Sequence, residues 1–228
     1  MNKIFGLLII GLLLLGCKNN SADKNEVDKK VSFNQELVND LQEMVVIDQV
    51  AAVNAFPPDN YSHLSQEKWV AFKDSVYRTN QKQIEKIFNS HGFVGYDLAG
   101  KEGSANFWLL AQHSDHDSEF QKEVLTNMKI QVDKGNADPR NYGLLMDRVL
   151  LNTGQNQMYG TQVSYNPETG QAFARKLADS SKVNERRKLL GLEPLEKYLN
   201  GMSEMHFMMN KEQFQSIGIT EPKLYKIE

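Results

Sequence analysis

The chain of 228 residues has one cysteine, Cys17. A lone thiol closes no internal disulfide, so the fold rests on its hydrophobic core without covalent staples. An excess of one charge sign is also missing, with 26 Lys and Arg against 29 Asp and Glu and a net charge of −3. The two signs are interspersed. Without a basic stripe, or a basic patch interleaved with aromatics, nucleic acid is not expected as a partner. There is no P-loop, dinucleotide glycine motif, serine elbow, CxxC pair or HExxH. No cofactor is therefore expected, and nothing marks a nucleophile. No repeat of solenoid period is apparent either.

The N-terminus, MNKIFGLLIIGLLLLGC, is informative. Lys3 supplies a short positive region, and Ile4 to Leu15 is an apolar run too short for a spanning helix. Leu14-Leu15-Gly16-Cys17 resembles a bacterial lipobox. That resemblance implies a signal peptide over residues 1–16, lipid modification of Cys17 and anchorage to a membrane without a spanning segment. Lys18 follows, so the aspartate that marks inner-membrane retention in enterobacteria is absent, and the outer membrane is the default address. Residues 17–31 are polar and charged and read as a tether.

Roughly 200 residues follow, enough for one domain with a sizeable core. Helical periodicity places elements at about Ser32–Ala55, Ser65–Ser90, Ser104–Ser114, Ser118–Lys134 and Asp138–Asn152. Pro57-Pro58 ends the first, and Asp138-Pro139 opens the last as a cap followed by proline. HGFVGYDLAGKEG reads as a glycine-rich loop. The period then changes, and TQVSYNPETGQAFARKL predicts two short strands around Asn166–Gly170. Helices resume at about Lys182–Leu190 and Pro194–Asn200, and residues 201–228 form a Met-rich, irregular extension. The expected fold is mainly α, a single-domain helical bundle over residues 32–200 with one small β-hairpin at about 159–177.

Several polar residues occupy apolar stripes. Asp48 shares a helix face with Met44, Val45, Ala51 and Ala52. Asn80 lies between Val76 and Ile84, and Asp147-Arg148 interrupts a helix apolar on most faces. Neighbours on a helix diverge by about 100°, so Asp147 and Arg148 each need a partner on another element. A buried carboxylate without a partner costs several kcal/mol. Asp48 is expected to pair with Arg148, Arg186 or Arg187. Such residues form either a network that fixes helix register or a polar site inside the bundle.

The stretch QHSDHDSEFQ holds two histidines and two aspartates within five residues. His113 and Asp117 stand at helical metal-ligand spacing, and His116-Asp117 is similar to the pair in some metal-dependent phosphohydrolases. The competing reading makes Asp117 an N-cap and Asp115 a turn residue. Capping leaves His113 unexplained, and a general-base role or a bond to a core carboxylate would suit it. QNQMYGTQ adds the uncharged donors and acceptors Gln157, Tyr159, Thr161 and Gln162 between Gly154 and Gly160. In the tail, MSEMHFMM places four methionines beside His206. That composition fits either a soft-metal cluster or an adaptable packing segment.

WLLAQHSDHDSEFQ, YGLLMDRVLLNTGQNQMYGTQ and VNERRKLLGLEPLEKYL together resemble a bacterial family known only as a domain of unknown function. Its members carry W-L-x-A-Q-H-x-D-x-D-xx-F-Q, L-x-D-R-V and Q-x-Y-G-T-Q blocks, followed by an R-R-rich G-L segment. The likeness runs from about Asp48-Gln49 to Tyr198, and the Met-rich extension lies outside it. Met146 departs from the polar residue expected before Asp147. The resemblance implies a self-contained domain and brings no reaction. It puts His113, Asp115, Asp117, Asp147, Arg148, Gln157, Tyr159, Thr161 and Gln162 on motif positions.

These readings converge on a lipid-anchored envelope protein binding a small polar ligand or partner in a pocket. His113, Asp48, Asp147, Arg148 and the Gln157–Gln162 loop would form its wall. The alternative is a hydrolase, with or without a metal, in which His113 is the base and Asp48 or Asp147 orients it; no metal is expected, Asp115, Asp117 and His206 being only weak candidate ligands. The third reading is an interaction protein whose polar core is structural.

Overall fold

Apolar residues spaced three and four apart drive five helices together in the computed structural model, which describes residues 33–227. The expected signal peptide, Cys17 and the expected tether lie outside the described residues. Helix α1, Gln35–Val53, starts where the Asn34 side chain accepts from Leu37 N and buries Leu37, Leu41, Met44 and Ala51. Helix α2, Gln66–His91, is capped by Ser65 and buries Trp69, Val76, Ile84 and Phe88. Antiparallel packing of the two is fixed by cross-links, where Trp69 Nε1 donates to Asn54 O and Asn80 Nδ2 to Met44 O.

Helix α3, Tyr96–Gln112, begins inside the stretch expected to be a glycine-rich loop. Gly100 explains the difference. It breaks the helical backbone with φ of 67°, a left-handed value that other residues rarely adopt, so one helix is kinked rather than preceded by coil. Helix α3 packs on α1, where Asn106 Nδ2 donates to Gln42 Oε1 and His113 meets Asp48. Both contacts advance in the same sense, so α1 and α3 lie parallel.

Asp117 caps α4, Ser118–Asp133, by accepting from Phe120 N. Asp138 caps α5, Pro139–Asn152, with proline at its first position. The buried residues of α1 to α5 form one core, with Leu41, Ile84, Phe107, Val124 and Leu145 fully enclosed. Truncating one of these leucines to alanine costs about 2–5 kcal/mol.

The chain then builds a smaller cluster. Strands β1, Val163–Tyr165, and β2, Ala172–Ala174, pair antiparallel with Ser164 opposite Phe173. Asn166 Oδ1 accepts from Glu168 N and Thr169 N in the turn. Helix α6, Val183–Leu189, precedes α7, Leu195–Met209, and α8, Lys211–Ser216. Ala172, Val183, Leu195 and Leu199 make the second core.

The segment after Asn200 is thus helical as far as Ser216 and irregular only beyond it, and α7 crosses position 200 without a break. Its packing supplies the reason. Phe207 and Phe214 are buried, Ser203 Oγ accepts from Ala172 N, and Asn200 exchanges two hydrogen bonds with the Tyr225 backbone. A mainly α domain with one hairpin is the observed fold. Among the described residues no helix is long and apolar enough to cross a membrane.

Candidate functional site

Position 48 falls on the core face of α1, opposite the end of α3, and this decides its chemistry. Asp48 is fully buried, and its Oδ2 lies 2.7 Å from His113 Nδ1. Gln49 Nε2 donates to the same oxygen at 3.0 Å. The expected pairing of Asp48 with Arg148, Arg186 or Arg187 does not form. Parallel packing of α1 on α3 brings the imidazole to Asp48, while each arginine is engaged elsewhere.

His113 ends α3, with its side chain 17% exposed. With the carboxylate accepting, Nδ1 carries the proton, and in the neutral imidazole Nε2 is an acceptor. Nε2 makes no hydrogen bond to any described residue. His113 lines a cleft of roughly 360 Å³ with Ala52, Asp74, Tyr77, Asp115, His116 and Arg148. The Tyr77 ring stands edge-on to the imidazole at 5.6 Å. Burial pushes the Tyr77 phenol up, Asp48 and Asp115 add to the rise, and Arg148 opposes it. The phenol accordingly stays protonated and serves as a donor at the wall.

Arg148 meets Asp115 in a bidentate pair, with Nε donating to Oδ1 at 2.7 Å and Nη2 to Oδ2. Asn152 and Gln121 also donate to Asp115 Oδ1. Burial works against the Asp115 charge, but the Arg148 hydrogen bonds and charge, with those two amides, outweigh it and hold the carboxyl below its ordinary value. Asp117 is spent as the α4 cap and as an acceptor for Gln81 Nε2 at 3.2 Å. His116 is exposed on the cleft rim.

Asp147 and the QNQMYGTQ segment form a different assembly. Asp147 accepts from Met158 N, Tyr159 N, Thr161 N and Thr161 Oγ1 at 2.7 to 3.2 Å. Burial pushes its carboxyl up, and those loop donors oppose the rise. The same loop's carbonyls are held from the other side. Arg186 takes Met158 O, Arg187 takes Tyr159 O, and Tyr198 Oη takes Thr161 O. Arg187 also lies 4.9 Å from the Tyr198 ring centroid. Gln157, fully buried, bridges Gln162 and Arg175. Gly160 turns the loop at φ of 71°, and a Cβ there would stand 2.8 Å from Leu195.

The structure therefore brings His113 together with Asp48, Asp115 and Arg148. Asp147 on α5 and the loop residues Gln157, Tyr159, Thr161 and Gln162 that gather on it do not line this cleft. His206 stacks on Tyr165 at 3.8 Å, while Met205, Met208 and Met209 are exposed and Met202 packs inward. Asn210 Nδ2 also lies 3.2 Å from His206 Nδ1, so the ring packs and bonds within the C-terminal cluster. Among the described residues no three His, Cys, Asp or Glu side chains converge as a metal site. Sequence reasoning missed Tyr77 and Asp74. The signal was present, because Asp74, Tyr77 and Gln81 recur at helical spacing as a polar stripe beside the apolar face of α2.

Asp48 Oδ1, Trp108 Nε1 and Gln112 Oε1 are buried without a hydrogen-bond partner among the described residues. All three sit on α1 and α3. A buried donor or acceptor left without any partner costs about 1–3 kcal/mol, a cost that water or a ligand reaching it removes.

No curated protein and no solved structure matches the chain. Residues 37–210 match a family of unknown function (DUF6624), including the methionine-rich stretch of α7 that the motif resemblance leaves outside, and the chain belongs to that family.

Proposed function

We propose that this is a lipid-anchored protein of the bacterial cell envelope, held by Cys17, whose helical domain binds a small polar ligand in the Asp48–His113 cleft. One observation carries the reading. A buried carboxylate fixes the imidazole at 2.7 Å, and the other ring nitrogen remains unpaired in a cleft. The arrangement presents an oriented ring nitrogen to the cleft. Its neighbours Tyr77 and Arg148 supply further donors, so the ligand is one that offers acceptors and a hydroxyl or water proton to His113 Nε2.

The Asp48–His113 pair also favours a second reading, in which His113 acts as general base in hydrolysis and Asp48 orients it. A direct test compares the wild-type chain with His113→Asn. Mass spectrometry of small molecules retained through purification is run beside assays with p-nitrophenyl acetate and p-nitrophenyl phosphate. Retention of a polar compound by wild type alone supports binding, and hydrolysis by wild type alone supports the enzyme. If the two proteins behave alike in every arm, the cleft is structural and both readings fail.

A further inference from the structure

A second cavity, of about 570 Å³, opens at the other end of the bundle between the start of α3, α4 and the start of α5. It lies one and a half turns or more along both α3 and α5 from the residues of the His113 cleft, so the two are separate. Its size falls within the usual range for small-molecule pockets, about 300–1,000 Å³. The floor is apolar, with Phe93 at 3% and Met128 at 1% exposure.

The polar groups on its wall are unspent. The side chains of Tyr96, Lys101, Ser104 and Asn141 make no hydrogen bond or ion pair with any described residue, although Ser104 is only 3% exposed. Asp138 and Arg140 at the mouth satisfy one another through a bidentate pair, and Asp138 also takes Arg140 N. Their charges cancel, so the charge left over is that of Lys101. All four free groups donate hydrogen bonds, and Lys101 can do nothing else. Burial, followed by the Asp138 charge, pushes the Tyr96 phenol up, which keeps its proton in place for donation. A cation would find no free carboxylate here.

We propose that this cavity is a second binding site, for a small monoanionic amphiphile whose carboxylate meets Lys101, Tyr96 and Asn141 while its apolar part lies on Phe93 and Met128. Ser104 then supplies the donor deepest in the pocket.

The test is isothermal titration of the full chain with four probes, hexanoate, acetate, hexanol and hexylamine. Hexanoate is expected to bind saturably. Acetate lacks the apolar part, hexanol lacks the charge and hexylamine has the wrong sign, and each should bind at least tenfold more weakly. Lys101→Gln, a change at an exposed position that spares the core, should weaken hexanoate at least fivefold. His113→Asn should leave it unchanged. The proposal is overturned if hexanoate does not saturate, if hexylamine binds as well, if Lys101→Gln has no effect, or if His113→Asn abolishes the binding.

Discussion

Asp147 and Arg148 are neighbours on α5, yet the carboxylate is sealed beneath the 158–161 loop while the guanidinium is clamped by Asp115 at a solvent-facing cleft. Successive side chains on a helix diverge by about 100°, so one faces the second core cluster and the other faces the α3–α4 turn. The two residues therefore do different work, one holding the fold and the other shaping the cleft.

Substitution separates these roles. Asp147→Asn keeps the shape but sets an amide donor against a loop that offers four donors, and it is expected to cost about 2–4 kcal/mol. Amide hydrogen exchange at Met158, Tyr159 and Thr161 should accelerate with it. Arg148→Ala, breaking a partly exposed pair, should cost less than about 1 kcal/mol. Urea denaturation gives both numbers, and equal costs would contradict the division.

The Asp48–His113 pair has its own signature. His113→Leu alone strands a fully buried carboxylate and is expected to lose about 3–5 kcal/mol. The double replacement Asp48→Leu with His113→Leu should recover most of that loss or exceed wild-type stability, because the buried charge is gone. A double variant no more stable than the single one would show that the pair is retained for the fold.

Acid should reveal the Asp115 clamp. Its folded carboxyl lies below the ordinary value of 3.8. A depressed carboxyl contributes stability above the unfolded value, and that contribution is lost as pH falls through the folded value. Wild type should therefore lead Asp115→Asn above about pH 4 and lose the lead at lower pH. The lead is at most about 1 kcal/mol, since the Asp115 side chain is 47% exposed and screened. Urea midpoints from about pH 6 downward measure it, and a lead undiminished at the acid end would refute the assignment.

Anchorage is tested at Cys17. Cys17→Ser should remove the lipid mass increment and shift the protein from the membrane fraction to the soluble one. Unchanged fractionation would reject the lipoprotein reading.

Much of the fold was legible in the chain. Asn34, Ser65, Asp117 and Asp138 are short side chains that accept from the first turns of their helices, and capping is a local interaction that few residue types perform. Asn166–Gly170 is equally local. The tail was not legible, because the buried face of α7 mixes Asn200 and Ser203 with Leu199 and Phe207, and its helix depends on the hairpin it packs against. Gly100 hid the first turn of α3, since glycine signals a loop as readily as a kink.

The site divides along the same line. The residues that need partners could be recognised from their positions, because a polar side chain on an apolar helix stripe must be satisfied wherever it lands. Asp48, His113, Asp147 and Arg148 all stood out in this way. Which partner each one takes depends on how helices stack across 65 residues of separation for Asp48 and His113 and 33 for Asp115 and Arg148. Helix periodicity specifies which face a side chain occupies but carries no information about which helix lies opposite. The parallel seating of α1 on α3 settled that, giving Asp48 an imidazole instead of an arginine.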